Sequence, residues 1–327
     1  MKNFTSVHDV KDTVKLIRDA IKLKKDPWAH SALGKNKTLG LIFLNPSLRT
    51  RLSSQKAAQL LGMNAIVMNM DKEGWALEWT DGAVMNTNKT EHIKDAAMVL
   101  STYCDIIGIR CFPTLTDREA DYSEHVLKQL IKYSTVPVVS LESATLHPLQ
   151  SLADGMSIFE KWNKPQKPKV VLSWAPHIKA LPQAVANSFS EWMQQLDVDF
   201  TITHPKGYEL APAFTKGINI DYEQEKALRG ADFVYVKNWS AYEPYGQTPA
   251  VEKDWLLSEQ KMKATNSAYI MHCLPVRRNV ELPDELLDGA RSLIPLQAEN
   301  RLFAATAVLK NMLENIKEIK PHHLQHA

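Results

Sequence analysis

Only three cysteines, Cys104, Cys111 and Cys273, occur in 327 residues, and no two of them form a C-x-x-C pair. That excludes a disulfide scaffold, offers no zinc pattern and suits a reducing compartment. Glycine is scarce as well. The chain has twelve glycines and neither a G-x-G-x-x-G nor a Walker A sequence, so the usual phosphate-cradling loops of nucleotide-binding proteins and kinases are missing. No apolar stretch approaches the roughly 20 residues of a membrane span. The N-terminal segment lacks the apolar core of a signal peptide. A charge bias is also lacking: Lys+Arg number 39 against Asp+Glu 37, and no basic stripe invites nucleic acid. Together these absences predict a cytoplasmic protein with no metal, no cofactor, and no nucleic-acid or membrane partner.

What is present is ordinary globular material, 44% apolar and 23% charged. Its length exceeds what one core usually holds, so two domains are expected. Residues 1–25 read as an amphipathic helix capped by Ser6, with Val10, Val14, Ile17 and Ile21 on one face. Strand-like runs then alternate with helical patterns. In the first half, strands are expected at 39–44, 64–70, 105–110 and 136–141, with helices near 91–103 and 119–133. The segment 141–162 reads as a turn feeding a long helix, where a first domain could hand over to a second. The second half repeats the alternation, with strands at 169–175, 199–205, 231–239 and 268–274 and helices at 181–195, 222–229 and 252–264. An amphipathic pattern from about 300 to 319 closes the chain. This alternation predicts an α/β fold of two domains, each a parallel sheet flanked by helices.

The most informative stretch is LGLIFLNPSLRTRLSSQKAAQLLG (39–62). The strand breaks at Asn45-Pro46, Ser47 stands as a helix N-cap, and Gly62 is the expected stop. Arg49 and Arg51 crowd the first turn, where cations oppose the helix dipole. An anion on the exposed amides removes the conflict, and phosphate is the natural candidate. A basic, capped surface helix is the alternative for this motif alone. Other polar groups also fall where predicted strands end: Arg110, the H-P-L-Q of 147–150, the W-A-P-H of 174–177, Lys237-Asn238 and the H-C-L-P-V-R-R of 272–278. Open α/β sheets place ligands there.

In order and spacing, S-L-R-T-R, Arg110, H-P-L-Q and H-C-L-P resemble the successive signatures of the aspartate/ornithine carbamoyltransferases over essentially the full length. H-C-L-P departs from the aspartate branch. The S-M-G loop of ordinary ornithine enzymes is missing, and F-V-Y-V-K-N-W (233–239) stands in its place. With W-A-P-H-x-x-x-L-P-Q-A-V (174–185), this resembles the branch acting on N²-acylated ornithine. The resemblance implies a homotrimer with shared active sites, a trefoil knot in the second domain, and a place in arginine biosynthesis. The expected division is 1–143 plus the C-terminal helix 300–327 for carbamoyl phosphate, and 144–299 for the acylornithine.

On that resemblance, carbamoyl phosphate is held by Ser47, Leu48, Arg49, Thr50, Arg110, His147, Gln150, the Cys273-Leu274 backbone and Arg301. Trp75 is expected to reach in from a neighbouring subunit. Arg49, Arg110 and His147 carry the catalytic load. Cys273 positions the reactants and is not a nucleophile. Glu142, His177, Lys237 and Arg277 are implied for the acylornithine. No motif supplies a strong base for the δ-amine, whose deprotonation at pH 7 costs about 4.6 kcal/mol from a Lys-like pKa near 10.4. The acetyl branch carries a Glu immediately before the pair matching Glu91-His92; here the residue is Thr90. Removing that negative charge favours a succinyl acceptor over acetyl, since two charges 4 Å apart interact by about 4 kcal/mol at an effective dielectric near 20. Glu281, where the acetyl branch has Lys, cuts the other way if it faces the pocket.

Overall fold

The computed structural model describes residues 1–70, 72–249 and 253–316. The strands are β1 (Thr38–Phe43), β2 (Asn64–Asn69), β3 (Leu77–Glu78), β4 (Glu91–His92), β5 (Ile106–Arg110), β6 (Val138–Glu142), β7 (Lys169–Trp174), β8 (Asp199–Thr203), β9 (Asn219–Asp221), β10 (Phe233–Lys237) and β11 (Tyr269–Met271). The helices are α1 (Thr13–Leu23), α2 (Leu48–Leu60), α3 (Ile93–Tyr103), α4 (Arg118–Tyr122), α5 (His125–Tyr133), α6 (Pro148–Lys161), α7 (Ala184–Met193), α8 (Pro212–Thr215), α9 (Gln224–Leu228), α10 (Glu259–Met262), α11 (Asp284–Leu287) and α12 (Ile294–Ile316).

Two larger sheets form, in the orders β2-β1-β5-β6 and β11-β10-β7-β8-β9, and every pairing in them is parallel. Parallel sheets are covered on both faces, which is why β5, β6 and β10 are buried along their whole length. The order places two reversals. In the first sheet the chain starts at β1, moves out to β2, and crosses back to β5. In the second it starts at β7, runs out to β9, and crosses back to β10. A crevice opens at the carboxyl ends of the strands at each such switch point. The chain segments leaving β1, β5, β7 and β10 carry the polar residues of the sequence motifs.

The α/β architecture with two sheets matches the expectation, and several local details differ from it. Ser6 caps only a 3₁₀ turn, Val7–Asp9, through a capping box with Asp9; Asp12 caps α1 by accepting from the Lys15 amide. The 119–133 helix is two, broken where Glu124 takes φ 54° and uses its carboxylate on Ser143 and Thr145. Those bonds to the segment after β6 outweigh helix continuity. Glu91-His92 pair with Leu77-Glu78 instead of opening α3. Helix 181–195 begins at Ala184, because Leu181 and Gln183 bond across to Ser240. Within 252–264 only a 3₁₀ turn, Lys253–Trp255, and α10 form; Glu252 lies outside the described residues. Sequence patterning missed β9 and α8, which are too short to show a period. The closing helix begins at Ile294, and 317–327 lie outside the described residues.

α12 returns to the first half, where it packs on α1, α2 and α6. Its buried Phe303, Ala304, Ala307, Val308 and Met312 share one core with residues of both sheets, among them Leu41 and Leu172. The turn after α2 needs glycine. Gly62 sits at φ 77°, and a Cβ there would lie 2.0 Å from the Ser31 carbonyl oxygen.

Candidate active site

The helix start at Ser47 folds as its residues dictate. Ser47 is the N-cap in extended backbone, and its hydroxyl accepts from the Thr50 amide at 3.4 Å. The amides of Leu48 and Arg49 fall in the first turn, which an α-helix leaves without internal partners. They open into a cavity of about 610 Å³. Of the residues implicated from sequence, it brings together Ser47, Leu48, Arg49, Thr50, Arg110, Glu142, His147, Gln150, His177, Lys237, Cys273, Leu274, Arg277 and Arg301. These come from positions up to 254 residues apart in the chain (Ser47 to Arg301), gathered by the two switch points and by α12. Arg51 is exposed and does not line the cavity.

Arg301 is the hub of the phosphate end. Its guanidinium, 5% exposed, donates to His147 Nε2 at 2.9 Å, Gln150 Oε1 at 2.8 Å and Thr50 Oγ1 at 3.3 Å. No carboxylate lies within ion-pair distance of it among the described residues, and its Nε–H has no partner. A buried cation held by neutral groups is expensive unless an anion joins it.

His147 is neutral. Burial pushes its pKa well below 6.5, and the cations Arg301, Arg110 and Arg49 push the same way. Since Nε2 accepts from Arg301, the proton is on Nδ1, which has no acceptor among the described residues. Arg110 binds Glu142 Oε2 through Nε (3.2 Å) and Nη2 (3.0 Å), donates from Nη1 to the carbonyls of Asn45 (2.9 Å) and Pro46 (2.7 Å), and lies 3.9 Å over the Phe112 ring. Four of its five N–H groups are engaged, which leaves one on Nη2 for a ligand. Burial pushes the Glu142 carboxyl up despite the opposing pull of Arg110 and Arg301.

The H-C-L-P loop is held from behind. The His272 amide donates to Gln297 Oε1 at 2.9 Å, and the Leu274 amide donates to His272 Nδ1 at 2.9 Å. Leu274 sits at φ 57°, and the Leu274–Pro275 peptide is cis. Burial keeps His272 neutral. Burial likewise raises the Cys273 thiol to about 11. It is a thiol and not a thiolate near neutral pH, which fits a positioning role.

At the other end, Lys237 donates to the Asn238 carbonyl (2.9 Å), and Arg277 Nε meets His177 Nε2 (3.2 Å). Glu281 lines the cavity but is 1% exposed; its Oε2 accepts from the Arg277 amide at 2.8 Å, and Oε1 lies 3.6 Å from His272. It is the strut of this loop. Trp75 and Thr90 do not line the cavity of their own chain. Trp75 is 54% exposed and donates to Glu91 at 2.9 Å, and the Thr90 amide bonds to Ala76 O at 3.0 Å.

Sequence reasoning missed Asp154. Fully buried on α6, its Oδ1 accepts from Gln150 Nε2 (2.7 Å) and Gln297 Nε2 (2.8 Å), tying the phosphate end to the H-C-L-P loop. The i,i+4 spacing from Gln150 was the available signal.

Fold and cavity define a two-domain α/β protein that gathers anion-binding side chains between the carboxyl ends of two parallel sheets. The model of the aspartate/ornithine carbamoyltransferase carbamoyl-P binding domain matches residues 2–160, and that of the Asp/Orn binding domain matches 182–312. The chain belongs to the aspartate/ornithine carbamoyltransferase family. It is 49% identical to an N-succinylornithine carbamoyltransferase of Bacteroides thetaiotaomicron, over 97% of this chain and 100% of that one. It is 35% identical to an N-acetylornithine carbamoyltransferase of Xanthomonas campestris, over 84% and 87% of the two chains. Among solved structures, an acetylornithine transcarbamylase complexed with acetylcitrulline superimposes with a TM-score of 0.90 at 32% identity, covering 95% of this chain and 99% of that one.

Proposed function

We propose that this chain transfers the carbamoyl group of carbamoyl phosphate to the δ-amine of N²-succinyl-L-ornithine, giving N-succinylcitrulline and phosphate in arginine biosynthesis. The observation that carries the transfer is Arg301: a buried guanidinium held, among the described residues, only by neutral groups, beside open helix amides and Arg49, is a site waiting for a dianion. The 49% identity to an N-succinylornithine carbamoyltransferase supports the acceptor.

In this assignment Ser47, Leu48, Arg49 and Thr50 hold the phosphate with Arg301. Arg110 bridges phosphate and carbonyl oxygen. His147 donates to that oxygen, and Gln150 orients the carbamoyl NH₂. The amine nitrogen attacks the carbonyl carbon, a tetrahedral oxyanion forms under Arg110 and His147, and the C–O bond to phosphate breaks. The departing phosphate takes the amine proton, since no side chain in the cavity is an evident base. Donors preset on such an oxyanion are worth about 2.7–4 kcal/mol each. Glu142, His177, Lys237 and Arg277 take the acylornithine. Trp75 and Thr90 reach the site from the neighbouring subunit of a homotrimer. Residues 1–143 with 300–327 form the carbamoyl phosphate domain and 144–299 the acylornithine domain, which would carry the trefoil knot. The three unpaired cysteines suit a cytoplasmic setting.

A second acceptor, N-acetylornithine, is favoured by the structural likeness to acetylornithine transcarbamylase. The test is product formation from carbamoyl phosphate with ornithine, N-acetylornithine and N-succinylornithine in parallel. Preferred turnover of the succinyl compound is expected. Turnover of free ornithine alone overturns the acyl assignment, and no turnover with any acceptor leaves a ligand-binding homologue.

A further inference from the structure

The cavity holds more positive charge than carbamoyl phosphate uses. Six cations line it, Arg49, Arg110, Lys179, Lys237, Arg277 and Arg301, against the two carboxylates Glu142 and Glu281. Both carboxylates are already engaged, Glu142 by Arg110 and Glu281 by the Arg277 amide. The excess of four positive charges matches a carbamoyl phosphate dianion plus an acceptor with two carboxylates and a neutral, reacting amine. An acetylated ornithine offers one carboxylate; a succinylated one offers two.

Arg49, Arg110 and Arg301 belong to the phosphate end. Lys237 is 8% exposed and set deep, at the end of β10. The remaining two sit together on the rim. His177 Nε2 accepts from Arg277, and Nδ1 on the other side of the ring lies 2.9 Å from the Lys179 carbonyl oxygen and 3.2 Å from the Lys179 amide. One ring thus ties the Arg277 guanidinium to the Lys179 backbone. The Lys179 side chain is exposed at the mouth, and its ammonium has no hydrogen-bond or ion-pair partner among the described residues.

We propose that Lys179 is a specificity residue that binds the distal carboxylate of the succinyl group. The assignment rests on the succinyl acceptor proposed above, and the test separates the two. kcat/KM is measured for N-succinylornithine and N-acetylornithine with the wild type and with Lys179→Met, Lys179→Glu and Lys179→Arg. The succinyl-to-acetyl ratio should fall about tenfold in Lys179→Met, equivalent to about 1.4 kcal/mol, through KM. It should fall further in Lys179→Glu and stay near wild type in Lys179→Arg. A wild type that does not prefer the succinyl acceptor overturns the underlying function. A wild type that does, with a ratio unmoved in both Lys179→Met and Lys179→Glu, overturns the role of Lys179 alone. Equal losses on both acceptors overturn it too, because they would mark a role in holding His177.

Discussion

Asp154 and His147 are both buried beside Arg301, and burial forces each toward its neutral form. For His147 that means the imidazole keeps one donor and one acceptor at neutral pH, and Arg301 decides which nitrogen has which. For Asp154, burial raises the carboxyl to about 7 against hydrogen bonds from Gln297 and Gln150 that pull it down. Its Oδ2 has no partner within hydrogen-bond distance among the described residues. The folded pKa lies above the unfolded value of about 3.9, so the native state holds the extra proton between the two. The stability this gives is fully present below about pH 4 and is lost as pH rises through about 7. Asp154→Asn copies the protonated form. Urea unfolding from pH 5 to 8 should show the variant gaining on wild type by about 1.4 kcal/mol per pH unit up to about pH 7. Parallel stability curves would rule out a titrating Asp154.

At the scale of elements, the site is a matter of where strands stop. α2 brings amides and Ser47, β5 brings Arg110, β10 brings Lys237, and the loop after β11 brings Cys273 and Leu274. The motifs were legible because each is a short run of polar residues after an apolar strand. Seams between the two halves were not, because they join loops with no period. Tyr245 Oη donates to Asp121 at 2.8 Å, and Arg118 lies 4.7 Å over the Tyr242 ring. Gly246, at φ 69°, brings its loop so close that a Cβ would lie 2.0 Å from the Leu115 carbonyl oxygen. Gly246→Ala must push the loops apart. With left-handed backbone strain of about 1–2 kcal/mol added, denaturation should show a loss of at least that size. kcat/KM for the acceptor should fall with it. Wild-type stability in that variant would show that the seam can yield.

For the whole molecule, Trp75 stands apart from the cavity of its own chain. Trp75, Met98, Val99 and Tyr103 leave large apolar side chains exposed on the first half, as a subunit surface does. If sites are shared in a homotrimer, Trp75→Ala and His147→Asn damage different subunits of the same site. Each variant alone should lose activity, His147→Asn by about 10²–10³. Unfolding and refolding them together should recover activity that neither has. No recovery would place Trp75 outside the neighbour's site.

The sequence by itself determined the parallel α/β layering, the Ser47 helix start, and the polar strand ends that mark an anion site, which the resemblance to the carbamoyltransferases assigns to carbamoyl phosphate. Those follow from local periodicity, capping and the run of residues at each strand terminus. Only the tertiary structure decided that Arg301 is buried without a carboxylate, that His147 carries its proton on Nδ1, and that Glu281 supports its loop with a nearly inaccessible carboxylate. It also decided that Asp154 joins the two halves of the site and that Lys179 is tethered beside Arg277. Glu281 bonds within its own loop, and only the fold buries it; the others depend on groups that meet across 100 to 251 residues of chain, and so on burial and pairing that no local pattern encodes.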